Sequence, residues 1–363
     1  MKLSTHSKLL VAALGVLALV VAVAVAIRMT GQRSDDSAQR SSDTGSQAPV
    51  SPVDAHLQQF QTLADEHGDR AAGTPGYEAA AQYVEQQLAS AGYQSRRQYF
   101  TFEHRGEEIE SFNIIAETAG GDDDNVIMLG AHLDGVPDSP AINDNASGVA
   151  ALLEAATQLS NQDGITNKVR FAWWGAEEIR RTPGSRHYVD SLTAHDPDEL
   201  DRITAYINID MIASPNYVIG VYDARESDPG TAVPDGSVAV MDILTDYFDA
   251  REQRWSTTHW NFASDQVAFT EADVAVGGLF TGSSESKSRR DAALFGGTAG
   301  QPRDPNYHTS GDDIGNINEE ALNIMTGAIS DVADRLAQEG LTSSGNTDNE
   351  QEDHRSSSSS NHE

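Results

Sequence analysis

The sequence predicts an α/β fold: a central, mostly parallel or mixed sheet sandwiched by helices. Short apolar runs at Val126–Ala131, Val169–Trp174 and Ile203–Ile209 have the length and unbroken apolar character of strands buried on both faces. Segments of helical period alternate with them, the pattern from which open α/β sheets are built. A third observation bears on function. Each run is followed closely by His, Asp or Glu, and in such sheets ligands gather beyond the carboxyl ends of the strands.

In chain order, residues 9–27 (LLVAALGVLALVVAVAVAI) carry no charge, and at about 1.5 Å per residue they span about 28 Å as a helix, close to a bilayer core. Residues 1–30 therefore read as a transmembrane anchor or a signal peptide; Ala22 and Ala24 keep a small-residue cleavage site open. Either way the rest of the chain is expected to be extracellular, membrane-anchored if the segment is uncleaved and secreted if it is cut. Residues 31–52, rich in Ser, Asp, Gln and Thr, read as a flexible linker. Val53–Asp65 and Tyr77–Ala91 read as amphipathic helices, broken at Thr74-Pro75-Gly76. Arg97–Glu117 reads as two strands turning at Arg105-Gly106. Ser147–Leu159 is expected as a helix between two buried strands, and Asn318–Ala337 as a long closing helix. Residues 341–363 are a polar, low-complexity tail expected to be disordered. The folded domain is thus expected over residues 53–340, without an internal repeat and as a monomer.

The chain has 363 residues, 24 Lys+Arg against 56 Asp+Glu, a formal net charge of −32 and no Cys. Zero Cys excludes a disulfide framework, thiolate metal ligands, a thiol nucleophile and a lipid-modified N-terminal Cys. The charge balance argues against nucleic acid as a partner, because phosphate binding needs clustered Lys/Arg. Only Lys2, Lys8, Lys168 and Lys287 are lysines, and the acids are spread along the chain. Dense like charge destabilises a compact state until salt screens it, so the composition predicts a halophilic protein.

The chemistry-bearing residues follow the strands. Ala131-His132-Leu133-Asp134 puts an imidazole and a carboxylate at alternate positions; alternate side chains share a side, and Asp134 is placed to fix the second ring nitrogen of His132. Alone, the pair is more often a satisfied structural His. Asp144 lies in a polar turn before a helix, where an N-cap is the plain alternative; Ser147 could cap instead, freeing Asp144, whose two oxygens could bridge two cations. Glu177 and Glu178 follow the next strand. Adjacent buried carboxylates repel each other without cations, and a pair can divide the work, one ligating a metal and the other handling a proton. Asp210 and then Met211 follow the third strand. His308, in the loop DPNYHTSGDD, is the histidine to pair with His132, whereas His187, His195 and His259 read as surface or packing residues. His, Asp, Glu, Asp, His is a mixed N/O donor set that suits Zn²⁺, with Mn²⁺ or Co²⁺ open, and one bridging carboxylate suffices for two metals.

The segments AHLDGVPDSPAINDNASG, FAWWGAEE, INIDMI, ASDQVAF, VGGLFTG, FGGTAG and DPNYHTSGDDIGNIN resemble the secreted two-zinc aminopeptidases, leucyl-type zinc exopeptidases related to the glutaminyl cyclases, in order and with similar spacing. The resemblance implies a zinc-exopeptidase, phosphorylase/hydrolase-like fold and two zinc ions per chain. His132, Asp144 and Asp210 would hold one ion; Asp144 would bridge to the other, held also by Glu178 and His308. Glu177 would be the general base and acid, Asp134 would orient His132, and Tyr307 would hydrogen-bond the developing oxyanion. Met211, Phe280 and Tyr307 would wall the pocket for the N-terminal side chain, implying a preference for apolar residues. Glu177 and Asp210 would recognise the free α-amino group. The expected substrates are thus peptides with a free N-terminus, cut at the first bond by metal-activated water.

Two departures stand out. Where relatives carry a disulfide flanking the Tyr-His loop, this chain has Asn306 and Gly311, so other contacts must hold the loop. The residue after the bridging Asp is often Asp and here is Asn145; in relatives that peptide bond is cis. Competing readings are a glutaminyl cyclase-like acyltransferase, a carboxypeptidase of the same superfamily, for which no obvious Arg is placed to hold a C-terminal carboxylate, and a non-catalytic cell-surface binding module. The last would need none of His132, Asp144, Glu177, Glu178, Asp210 and His308.

Overall fold

The computed structural model describes residues 51–226, 232–260 and 264–341. The apolar stretch 9–27, nearly all of the linker and the tail from residue 342 lie outside these residues, and the anchor, linker and tail assignments with them. Among the described residues no helix is long and apolar enough to cross a membrane.

Helix α1 (Pro52–His67) starts where Ser51 Oγ accepts the Asp54 amide at 3.2 Å, has Pro in its first turn, and stops at Gly68 with φ 92°. Thr74 caps α2 (Pro75–Ser90) in the same way, its Oγ1 accepting the Tyr77 amide at 3.3 Å. A hairpin of β1 (Arg96–His104) and β2 (Glu107–Glu117) turns at Arg105 and Gly106, both at positive φ (54° and 85°), as a two-residue hairpin loop requires. The chain continues through β3 (Asp122–His132), α3 (Ser147–Ser160), β4 (Asn167–Trp174), α4 (Pro183–His195), α5 (Pro197–Asp201) and β5 (Ile203–Ile209). It ends with β6 (Gly220–Tyr222), α6 (Ser237–Ala250), β7 (Ser256–Thr258), α7 (Gln266–Glu271), β8 (Val276–Phe280), α8 (Arg289–Phe295) and α9 (Glu319–Glu339).

The strands form one mixed sheet in the order β1-β2-β4-β3-β5-β8-β6-β7. Its centre, β4-β3-β5-β8, is parallel, while β2 and β6 run antiparallel to their neighbours β4 and β8. Alternation along β4 builds both layers of the core. Phe171 points to one face, edge-on to Tyr93, whose hydroxyl donates to the Ala156 carbonyl of α3 at 2.8 Å. Trp174 points to the other, against Tyr188 of α4, Tyr206 of β5 and Phe269 of α7. Gly130 is needed between them, since a Cβ there would overlap the Trp174 indole nitrogen and the Tyr206 hydroxyl.

The register positions the site. His132 pairs with Trp174, and Gly130 with Asn208. The residues immediately after β3, β4 and β5 therefore leave the sheet at one edge and at one level.

Candidate active site

Five side chains meet beyond that edge. His132 closes β3 and is buried. Its Nε2 lies 3.3 Å from Asp144 Oδ1 and 3.3 Å from Asp210 Oδ1. His308, more exposed, enters from the loop before α9, with Nε2 3.1 Å from Asp144 Oδ2 and 3.0 Å from Glu178 Oε2. The two oxygens of one buried carboxylate thus face two different imidazoles, each accompanied by one further acid.

This arrangement fits metal ions. Zinc bonds of about 2.0–2.1 Å in a tetrahedron place neighbouring donors about 3.3 Å apart, and the four observed separations run from 3.0 to 3.3 Å. Donor atoms of His132, Asp144 and Glu178 lie within 4.8 Å of one another. Asp144 Oδ2 and Glu178 Oε1 are buried without a hydrogen-bond partner, although His308 Nε2 is close to the former, which is the geometry of lone pairs turned toward a common point.

The loops are held in place from behind. Asp134, fully buried, accepts the amides of Glu177 at 3.0 Å and Glu178 at 3.2 Å on its two oxygens. Its carboxylate is 3.8 Å from His132 Nδ1, beyond hydrogen-bond length, and the nearer partner of that nitrogen is the Asp134 backbone carbonyl at 3.1 Å. Asp134 therefore holds His132 through its main chain and shapes the glutamate loop through its side chain. Asp312 does the same for the turn that carries Asp144, its two oxygens accepting the amides of Asn143 at 2.8 Å and Asp144 at 2.9 Å. The Asp144–Asn145 peptide is cis. Ala146 holds the N-cap position of α3 without a side-chain bond, and Asn145 just before it serves the helix start instead of Ser147: its Oδ1 accepts the amides of Gly148 at 3.0 Å and Met211 at 3.1 Å, while its Nδ2 donates to the Ile209 carbonyl at 2.9 Å. An Asp at this position could not make the last bond. Ser147 Oγ donates instead to the Asn143 carbonyl at 2.7 Å.

So many acids in one buried place perturb one another. Burial and the charges of Asp265, Asp210 and Glu178, against the pull of His132, drive the Glu177 carboxyl well above the usual carboxylate range. Burial and the Asp144 charge push Glu178 up to about 8. Burial disfavours the charged form of His308, but its contacts with Asp144 and Glu178 outweigh this and raise it to about 10. His132 rises well above its ordinary value in the same way, Glu177 and Asp210 overcoming burial. A divalent cation would satisfy the same electrostatics by displacing those protons.

The donors open into a cavity of ≈ 70 Å³ lined also by Glu177, Met211, Tyr222, His259, Phe280 and Tyr307. The Tyr307 ring stacks on that of His308 at 3.7 Å. All ten sequence-singled residues are accounted for here: nine line this cavity, and Asp134 stands behind it.

Four features escaped the sequence. His259 lines the cavity rather than the outer surface. Asp265 is buried with no hydrogen-bond partner on either oxygen, pushed up to about 7 chiefly by burial. Arg70 is buried, and its guanidinium donates to the carbonyls of Leu133, Pro140 and Ala141, tying the loop after β3 to the turn that carries Asp144. Arg180, Arg181 and Arg186 line a second cleft beside Glu177 and His308, although the sequence marks no obvious Arg to hold a C-terminal carboxylate. The sequence carries a signal for two of these: Asp265 stands within the segment ASDQVAF, and Arg180 and Arg181 directly follow Glu178-Ile179.

Comparison with known proteins follows the geometry. Residues 113–333 match peptidase family M28. An aminopeptidase of Pseudomonas aeruginosa is 46% identical over 228 residues, covering 63% of this chain and 42% of the relative, so the chain spans less than half the length of that curated relative. The crystal structure of a zinc aminopeptidase from Bacillus subtilis superimposes with a TM-score of 0.64 at 17% identity, over 81% of this chain and 98% of that one. A glutaminyl cyclase of Porphyromonas gingivalis gives 0.59 at 18% identity, over 79% and 99%. At such identities the two structures establish the fold.

Proposed function

The chain belongs to peptidase family M28, and on that premise we propose that it is a zinc-dependent aminopeptidase that removes apolar N-terminal residues from peptides outside the cytoplasm. One observation carries the reading: Asp144 presents one oxygen to the His132 group and the other to the His308 group. This supports two ions, one held by His132, Asp144 and Asp210, the other by Asp144, Glu178 and His308. Zinc bound there supplies Lewis acidity and an activated water at neutral pH.

The protein does the rest. Glu177, which lines the cavity beside these donors without an imidazole at hydrogen-bond range, takes the proton of the attacking water and delivers it to the leaving amine nitrogen. Tyr307 Oη donates to the carbonyl oxygen as charge develops there; burial and the nearby acids keep its hydroxyl protonated. Glu177 and Asp210 receive the substrate's α-ammonium group. Met211 and Phe280 supply apolar wall to the first side chain, and the small cavity restricts entry to one residue. The apolar stretch 9–27 supports work beyond the membrane.

The test is one peptide in free and N-acetylated forms, with Leu-p-nitroanilide and an N-terminal Gln peptide alongside, assayed with and without chelator. Chelator-sensitive release of the first residue from the free form alone is expected, with close to two zinc per chain by elemental analysis. Cleavage of the acetylated form would overturn the exopeptidase assignment, and ammonia release from the Gln peptide would transfer the chain to the cyclase reading.

A further inference from the structure

Glu177, Glu178, Tyr307 and His308 line two openings. One is the cavity of Met211 and Phe280; the other is a cleft of ≈ 340 Å³ that continues past Val267 to Arg180, Arg181 and Arg186. A peptide whose first residue fills the former must lead the rest of its chain away from it, and the cleft is an exit that shares the reacting residues. This inference therefore rests on the aminopeptidase reading.

The wall of that exit is opposite in charge to the molecule. A chain of net charge −32 places three arginines within the seven residues RRTPGSR, directly after Glu177-Glu178-Ile179. Arg186 is engaged by Glu271 at 2.6 Å. Arg180 and Arg181 are exposed and make neither a side-chain hydrogen bond nor an ion pair with any described residue. Arg181 feels the charge of Glu271, which Arg186 already engages, but neither it nor Arg180 is held by an ion pair, and two exposed guanidinium forks in so acidic a protein are planar donors matched to an incoming carboxylate. They follow Glu178 by two and three positions. Both line the same cleft as Glu177, Glu178 and His308, and an extended peptide advancing about 3.3–3.6 Å per residue would bring its first residues beyond the cleaved bond into that cleft.

We propose that Arg180 and Arg181 select substrates bearing a carboxylate on the leaving-group side, one or two residues past the scissile bond: the free C-terminus of a di- or tripeptide, or an Asp or Glu side chain at that place.

The experiment compares kcat/KM for Leu-Ala, Leu-Ala-amide and Leu-Glu-amide with the zinc-loaded chain, at the lowest salt at which it is folded and again at about 1 M salt. The Leu-Ala to Leu-Ala-amide ratio is expected to be about 5–10, as for a partly solvated charge-assisted contact, and to shrink at high salt. It should fall to about 1 in R180Q/R181Q and below 1 in R180E/R181E. Faster cleavage of Leu-Glu-amide than of Leu-Ala-amide would extend the recognition to acidic side chains; a gain for Leu-Ala alone would assign it to the terminus. Equal rates for acid and amide in the unmodified protein, or a ratio that survives R180Q/R181Q, would overturn the inference. Turnover without discrimination removes this inference alone, whereas no turnover of any free peptide removes the aminopeptidase reading and this one with it.

Discussion

Glu177 and Glu178 are chemically identical neighbours, and what separates them is contact. Glu178 has His308 Nε2 at 3.0 Å, while Glu177 has no imidazole at that range and takes its proton affinity from burial and surrounding acids. Hence Glu177→Gln should keep its zinc and lose about 10²–10⁴ in kcat; activity within tenfold of the parent would show that another group moves the proton. His308→Ala should instead lower zinc per chain, because it leaves Asp144 Oδ2 and Glu178 without their shared nitrogen. An unchanged stoichiometry by elemental analysis would remove His308 from the ligand set. His132, Glu177, Glu178 and Asp210 were legible in the sequence because they stand at or just after the ends of apolar strands, and Asp144 and His308 because they stand in polar loops. Arg70 was not, since nothing local marks a buried guanidinium that donates to carbonyls more than sixty positions away.

The loop from Asp304 to Asn316, where the resemblance implies a flanking disulfide that a chain without Cys cannot form, is held by polar side chains. Asn316 Nδ2 donates to Asp304 and Asp312, Asn143 Nδ2 donates to Asp304 Oδ2 at 2.6 Å, and Asn306 Nδ2 donates to Asn316 Oδ1 at 2.8 Å. Asn306 packs against Gly311, so the two positions that would bear the cysteines still touch. Asp312 is the joint between this loop and the turn that carries Asp144. Asp312→Asn would set a donor against a buried amide and should cost about 1–3 kcal/mol in stability. It should also weaken zinc retention in a chelator competition; unchanged retention would mean that Asp144 is held well enough without it. Elements with long periodic runs (α1, α2, α3, β4, β5 and α9) lie within two residues of where the sequence puts them. β6 and β7, three residues each, and helices α4 to α8 were not anticipated, because their pairing and packing depend on partners distant in sequence.

At the scale of the molecule, the buried cluster of carboxylates and imidazoles links stability to pH. His308 at about 10 and Glu178 at about 8 bind protons more tightly folded than unfolded. Their contribution is therefore complete below their unfolded values, near 6.5 and 4.5, and is lost as pH rises through about 8 to 10. The chelated protein should lose thermal stability between pH 6 and 9 while the zinc-loaded protein does not, so the gap in Tm widens with pH; a constant gap would count against proton displacement by metal. The net charge of −32 makes a separate prediction. If surface repulsion limits the fold, Tm should rise by several degrees between low salt and about 2 M NaCl, and full stability in salt-free buffer would end the halophilic reading.

The sequence by itself determined the strand and helix periods, the polar residues that follow them and the absence of sulfur ligands, because those are properties of neighbouring residues. Only the tertiary structure decided that Asp144 turns its two oxygens to different imidazoles, that Asp134 grips the glutamate loop more closely than it grips His132, and that arginines border the exit cleft. Each of these depends on the register of parallel strands and on contacts across 40 to 170 positions, and no local pattern encodes such distances.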